Sequence, residues 1–239
     1  MPMDQRLADR DDPRLRAFLA DERVQARIRP VGQAARDRLR QYFEQQGFFA
    51  SDRVALVDIG WNATIQRYLE KAFASDGRFP RVEGYYFAYV HAIHQDALAH
   101  GAIHGLILDR RHGNAQERAP LDFEELFEQA ARAPHGTTVD YRLEGGRVEP
   151  VFKDDAAPDR QAEMACNPSI LALQEGVMLC WEHMLAAQAL TGVGFAALKP
   201  YAQALAERAV VYPTADEVRL VAALAHTEDF GHDDVLALA

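Results

Sequence analysis

The sequence predicts an α/β fold, Rossmann-like, with a short, partly parallel sheet, a β-hairpin and a C-terminal helical subdomain. Three observations predict it. Arg53 to Leu69 reads as a buried strand, a tight turn and a helix. Val82 to Val90 is aromatic and β-prone, and it follows that helix after Pro80, in strand–helix–strand order. Glu144-Gly-Gly146 stands between two strand-like runs, a strong hairpin signal. The expected organisation is a helical segment over 1–50, an α/β core over 51–155 and a helical subdomain over 156–239, packed as one unit.

Asp11-Asp-Pro13 is a helix start, with Asp before a Pro at the first helical position. From Pro13 to Gln46 apolar residues recur at three-to-four spacing, and Pro30-Val-Gly32 predicts a break into two helices. Gly47 fits a C-terminal cap. Val54 to Ile59 is the first strand, Ala63 to Phe73 its helix, and Ala102 to Leu108 a third strand candidate. Leu121 to Ala131 is an amphipathic helix, and Thr137–Leu143 with Arg147–Phe152 forms the hairpin. Everything from Asp159 onward reads as helix. Its apolar stripe through Ile170, Leu171, Leu173, Val177, Met178, Trp181, Met184 and Leu185 is expected in the core. Thr214 and Glu217 match a capping box.

The 239 residues, 49% of them hydrophobic, suffice for a full core. A net charge of −10 argues against nonspecific binding to nucleic acid or to an anionic membrane surface. Cys166 and Cys180 form neither a disulfide framework nor a metal-ligand spacing, and read as reduced thiols. No apolar run approaches the ~20 residues of a membrane span. The start lacks a signal-peptide core, so a soluble, cytoplasmic protein is expected.

The candidate chemistry gathers at the first strand's carboxyl end. Asp58 sits where the strand ends, beside a helix N-terminus with free N–H groups and a positive dipole end. Such a carboxylate serves as cation ligand, sugar-hydroxyl acceptor, nucleophile or base; the plain alternative is a helix cap. Gly60 permits a sharp turn or close approach to a ligand. Trp61 either stacks on a sugar or base or seals the core, and Asn62, Thr64 and Gln66 offer polar groups to a phosphate. Of the nine histidines, His91–His94 and His100–His104 have spacings of three and four, but strand-like surroundings keep either pair off one helix face. His91 and His94 remain candidates to line the site, since the second strand should end beside Asp58. His135, in Pro134-His-Gly-Thr-Thr-Val-Asp-Tyr141, is a second polar cluster or simply a loop entering the hairpin.

Several reactions are excluded. The turn has neither the phosphate-loop lysine pattern nor the three-glycine dinucleotide fingerprint. No second Asp stands two residues after Asp58, as haloacid-dehalogenase phosphatases require, and no nucleophile elbow is present.

Val57-Asp-Ile-Gly-Trp-Asn-Ala-Thr-Ile-Gln66, preceded by Gln41 to Gly47, resembles a domain with an Asp-Ile-Gly-Trp motif. That domain follows the haloacid-dehalogenase-like domain in predicted bacterial hydrolases associated with surface-polysaccharide biosynthesis and glycosyltransferases. Gly84-Tyr-Tyr86, Glu124 to Phe127, Pro134 to Thr137, Tyr141 and Gln174-Glu-Gly176 match its further motifs in order, over about residues 35 to 185. Ala63 stands where that family usually has Gly, and the phosphatase-like domain is not in this chain. The resemblance therefore implies a context, bacterial polysaccharide metabolism, rather than a transferable hydrolase reaction.

The leading expectation is a site that binds or processes a phosphorylated or nucleotide-linked sugar. Asp58 is its catalytic candidate; Gly60, Trp61, Asn62, Thr64, Gln66, Tyr86, His91 and His135 are its binding candidates. The alternative is a noncatalytic module docking a glycosyltransferase or a phosphatase-like partner. A third reading is a hydrolase using Asp58 with a divalent cation such as magnesium. The substrate is not legible.

Overall fold

The computed structural model describes residues 12–90, 98, 101–112, 119–153, 156, 158–227 and 235–237. His91, His94 and His100 lie outside the described residues. In chain order the elements begin α1 (Pro13–Ala20), α2 (Glu22–Gln45), β1 (Arg53–Trp61), α3 (Thr64–Phe73), β2 (Arg81–Tyr89) and β3 (Gly101–Asp109). They continue α4 (Ala119–Asp122), α5 (Glu124–Ala131), β4 (Thr138–Glu144), β5 (Arg147–Phe152), α6 (Pro158–Ala165) and α7 (Asn167–Thr191). The last are α8 (Phe195–Val211), α9 (Ala215–Ala222), β6 (Ala225–Thr227) and β7 (Val235–Ala237). The chain is thus mixed α/β, with a three-stranded parallel sheet, a separate antiparallel hairpin, and helices. It divides into two compact units, Met1–Ala50 with Thr138–Val151, and Ser51–Thr137 with Phe152–Ala239.

The smaller unit holds α1, α2 and most of the hairpin. Asp12 caps α1, its carboxylate accepting from the Arg14 amide at 2.9 Å ahead of Pro13. The predicted break at Pro30-Val-Gly32 is corrected: α2 runs through Pro30, and the chain breaks at Asp21. Asp21 is extended and accepts from the Arg23 amide at 2.8 Å. The break falls where a side chain can cap the new helix, whereas Pro30 forfeits only a bond that neighbouring turns absorb. Tyr42 of α2 packs on Tyr141 of β4, ring centroids 4.8 Å apart. Gln45 clamps Val148 of β5, donating to its carbonyl at 2.9 Å and accepting from its amide at 2.7 Å. Gly145 and Gly146 make the hairpin turn with φ of 55° and 83°, the two left-handed positions of a tight turn.

In the larger unit, β1, β2 and β3 lie side by side in that order, all parallel. Asp58 is opposite Tyr86, and Tyr86 opposite Gly105, just before a bulge that shifts the register. One sheet face is covered by α3, with Ala63, Tyr86, Tyr89 and Ile103 forming a buried cluster against Leu56. The other face carries the row Val57, Tyr85 and His104, all exposed, and α5 reaches only its carboxyl end, where Phe127 packs on Phe87.

The helical part contains a buried ion pair, Arg160–Glu163 at 2.6 Å, with Thr137 and Gln129 bonded to it. A second cluster gathers Cys166, Ile170 and Leu224 with Leu126 and Val221. Thr214 and Glu217 form the expected capping box at α9. Two expectations are overturned here. The region after Asp159 is not all helix, since β6 and β7 pair antiparallel. The α7 stripe is not core: Ile170 is buried, but Leu171, Val177, Met178, Trp181 and Leu185 are exposed. Apolar periodicity states that a face needs cover; it does not state that the same chain provides it.

Candidate active site

The sequence builds the site through β1 and the turn that ends it. Alternation puts Val54, Leu56 and Asp58 on the α3 side of the sheet, so Asp58 arrives half-buried at the strand's carboxyl end. The strand runs on through Gly60 and Trp61, paired with Ala88 and Tyr89, and ends on unusual backbone. Gly60 has φ 122°, Trp61 φ 65° and Ala63 φ 53°. Two non-glycine residues in the left-handed region within three positions store strain of about 1–3 kcal/mol each, a cost that concentrates at functional sites. Gly60 is sterically required, because a Cβ there would lie 2.0 Å from the Ala88 carbonyl oxygen.

Asp58 does not cap α3. Its carboxylate accepts from the Gly60 amide at 3.3 Å, while the α3 N-cap is Ala63, which has no side-chain oxygen to give. The N-terminus of α3 therefore has no side-chain cap. Burial pushes the Asp58 carboxyl up, the Gly60 and Ile59 amides pull it back, and the Glu128 charge pushes it up again; the net is upward.

Glu128, on α5, is the residue that sequence reasoning missed. The Trp61 indole donates to its carboxylate at 2.7 Å. Asp58 in turn feels the charge of Glu128. The available signal was only the amphipathic helix over Leu121 to Ala131, on which Glu128 is one of several acids.

The candidate residues separate into those at the rim and those beneath it. Asp58, Gly60, Trp61, Asn62 and Thr64 are half-buried around the turn. Gln66 and Tyr86 are completely buried. Gln66 donates to the carbonyls of Val82 at 2.9 Å and Ala102 at 3.3 Å, and accepts from the Tyr86 hydroxyl at 2.9 Å. It bolts α3 to the sheet. Burial first, then the Asp58 charge, keeps the Tyr86 phenol protonated far above its ordinary range. His135 stands in the loop after α5; its described contacts are with Gly136 and with the Phe152 ring at 4.2 Å, rather than with Asp58 or Trp61. His91 lies outside the described residues.

The neighbouring strand ends add two arginines. Arg67 of α3 is buried and donates to the Tyr89 hydroxyl at 3.2 Å, and the Arg111 guanidinium sits 4.7 Å over the Tyr89 ring. Asp109, at the end of β3, accepts from Arg111 at 2.6 Å and 2.9 Å. Burial pushes the Asp109 carboxyl up, but the Arg111 hydrogen bonds outweigh it and hold it below its ordinary value. Among the described residues, no three His, Cys, Asp or Glu side chains converge as a metal site. Also among them, no helix is long and apolar enough to cross a membrane. In comparisons with known proteins, no family model matches the chain, and no curated protein matches it either.

Proposed function

We propose that the carboxyl end of β1 binds a phosphorylated or nucleotide-linked sugar, within a strand–helix–strand unit of Rossmann-like character. The observation that carries this reading is the Trp61–Glu128 bond: an aromatic ring fixed by its own N–H on one carboxylate, with a second, half-buried carboxylate, Asp58, within reach of that charge. Ring faces stack on sugar C–H surfaces, and carboxylates accept from sugar hydroxyls. The α3 N-terminus, without a side-chain cap, suits the phosphate beside them. Asp58, its proton held more tightly by burial, is the group best fitted to act as acid or base if the ligand is processed. Gln66 and Tyr86 support the platform from below and leave the ligand to the turn.

Calorimetric titration with nucleotide sugars, sugar phosphates and unphosphorylated sugars tests this, with and without magnesium. Binding that needs the phosphate, and that falls roughly tenfold or more in Trp61→Phe and Asp58→Asn, is the expected result. Silence across the panel removes the reading and leaves a noncatalytic docking module in its place.

A further inference from the structure

We propose that two copies of this chain pair by laying α7 of each across the uncovered sheet face of the other. The larger unit has two unmet requirements. A parallel sheet is normally covered on both faces. Here the face opposite α3 leaves Val57 79%, Tyr85 36% and Leu106 46% exposed. A helix that is apolar all round is normally buried. Every residue of α7 from Glu175 to His183 is exposed, with Val177 and Met178 each at 59%. Among the described residues, the sheet face lacks an apolar helix and the helix lacks an apolar surface.

Charge favours this occupant over others. The α7 sequence contains no Lys or Arg, and carries Glu175 and Glu182 two turns apart. The open sheet face is rimmed at its amino end by Arg53 and Arg81, which share the single carboxylate Glu83 with His104. An excess of positive charge thus stands beside the apolar row, where a docked α7 would bring its acids. Two α7 helices placed on each other would instead set acids against acids. An acidic helix is likewise poorly suited to an anionic lipid surface. The exchange is isologous, so it closes at two copies. This pairing is independent of the ligand reading at Asp58.

Sedimentation velocity on the full chain gives the mass, and thiol chemistry gives the geometry. The expected mass is that of two chains. Met178→Glu and Val57→Glu should each weaken pairing by roughly 30-fold or more while far-UV circular dichroism holds. Val139→Glu, at an exposed apolar position of the other unit, should change nothing. Met178 lies on an exposed helix, so its variant reports even if the Val57 variant misfolds. Cys180 is free and exposed on α7. Mixing Val57→Cys in a Cys180→Ser background with the unmodified chain, with oxidised glutathione as oxidant, should give a disulfide between the introduced thiol and Cys180 of the other copy. A monomer at high micromolar concentration, a larger assembly, crosslinks only between Cys180 and Cys180, or flotation of the monomer with phosphatidylglycerol vesicles would overturn the proposal.

Discussion

The Trp61 indole nitrogen donates to Glu128 at 2.7 Å, tying the last residue of β1 to a helix residue 67 positions further along. That bond fixes the ring at the strand end. Replacing Glu128 by Ala leaves a half-buried N–H without its acceptor, at a cost of about 1–3 kcal/mol. Glu128→Gln keeps an acceptor oxygen and should retain most of that stability. Urea unfolding of both variants, followed by tryptophan fluorescence in a Trp181→Phe background, compares them. Equal losses in the two variants would mean that the bond contributes nothing.

Asp58 makes stability depend on pH in a definite direction. Burial, with the Glu128 charge behind it, raises its carboxyl above the ordinary value in the folded chain. The folded state therefore keeps this proton where the unfolded chain, titrating near ~3.9, has released it. The contribution is complete below the unfolded value and is lost as pH rises through the folded one. At neutral pH the ionised carboxyl is a cost. Asp58→Asn should raise the thermal midpoint at pH 7 and leave it nearly unchanged at pH 3. A lower midpoint at pH 7 would contradict the assignment.

Gly60 tolerates no side chain. At φ 122°, with the Ala88 carbonyl oxygen 2.0 Å from where a Cβ would stand, Gly60→Ala must move the β1 turn or part β1 from β2. A loss of about 3 kcal/mol or more is expected, beyond the usual effect of a single substitution. Gly77→Ala, at a turn with open space around it, is the control and should stay within about 1 kcal/mol. Chemical denaturation of the pair measures the difference.

The α8–α9 corner should open in acid. The Arg208 guanidinium, helped by the Thr214 amide, holds the Glu217 carboxyl down to about 2. A depressed carboxyl contributes stability above its unfolded value and loses it as pH falls towards the folded one. The window runs from about 4.5 down to about 2. Amide exchange across α9 should accelerate through that window, and Glu217→Gln should flatten the dependence. An unchanged profile in the variant would place the acid sensitivity elsewhere.

The strand, turn and helix at Asp58 were legible because each has a local cause: an apolar run, a glycine and a polar helix start. The backbone of Trp61 and Ala63 was not. Neither residue type signals a left-handed conformation, which is imposed here by the junction of β1 with α3. Gln66 looked like a ligand group because its sequence position is polar; only the fold shows it buried between two carbonyls and a phenol. Glu128 was hidden because partners 67 residues apart leave no spacing to read. The strands β6 and β7, each of three residues, are too short for any period to show.

The Gln45–Val148 clamp has a consequence for synthesis. The residues it joins are separated by 103 positions, and α2 receives its strand neighbours only when the hairpin exists. A ribosome adding about 5–20 residues per second leaves α2 waiting for roughly 5–20 seconds. During that interval its Arg-rich surface and exposed Ile28 and Val31 have no hairpin to pack on. The smaller unit must therefore be completed after the β1–α3–β2 segment has emerged, so its assembly is late by the order of the chain itself.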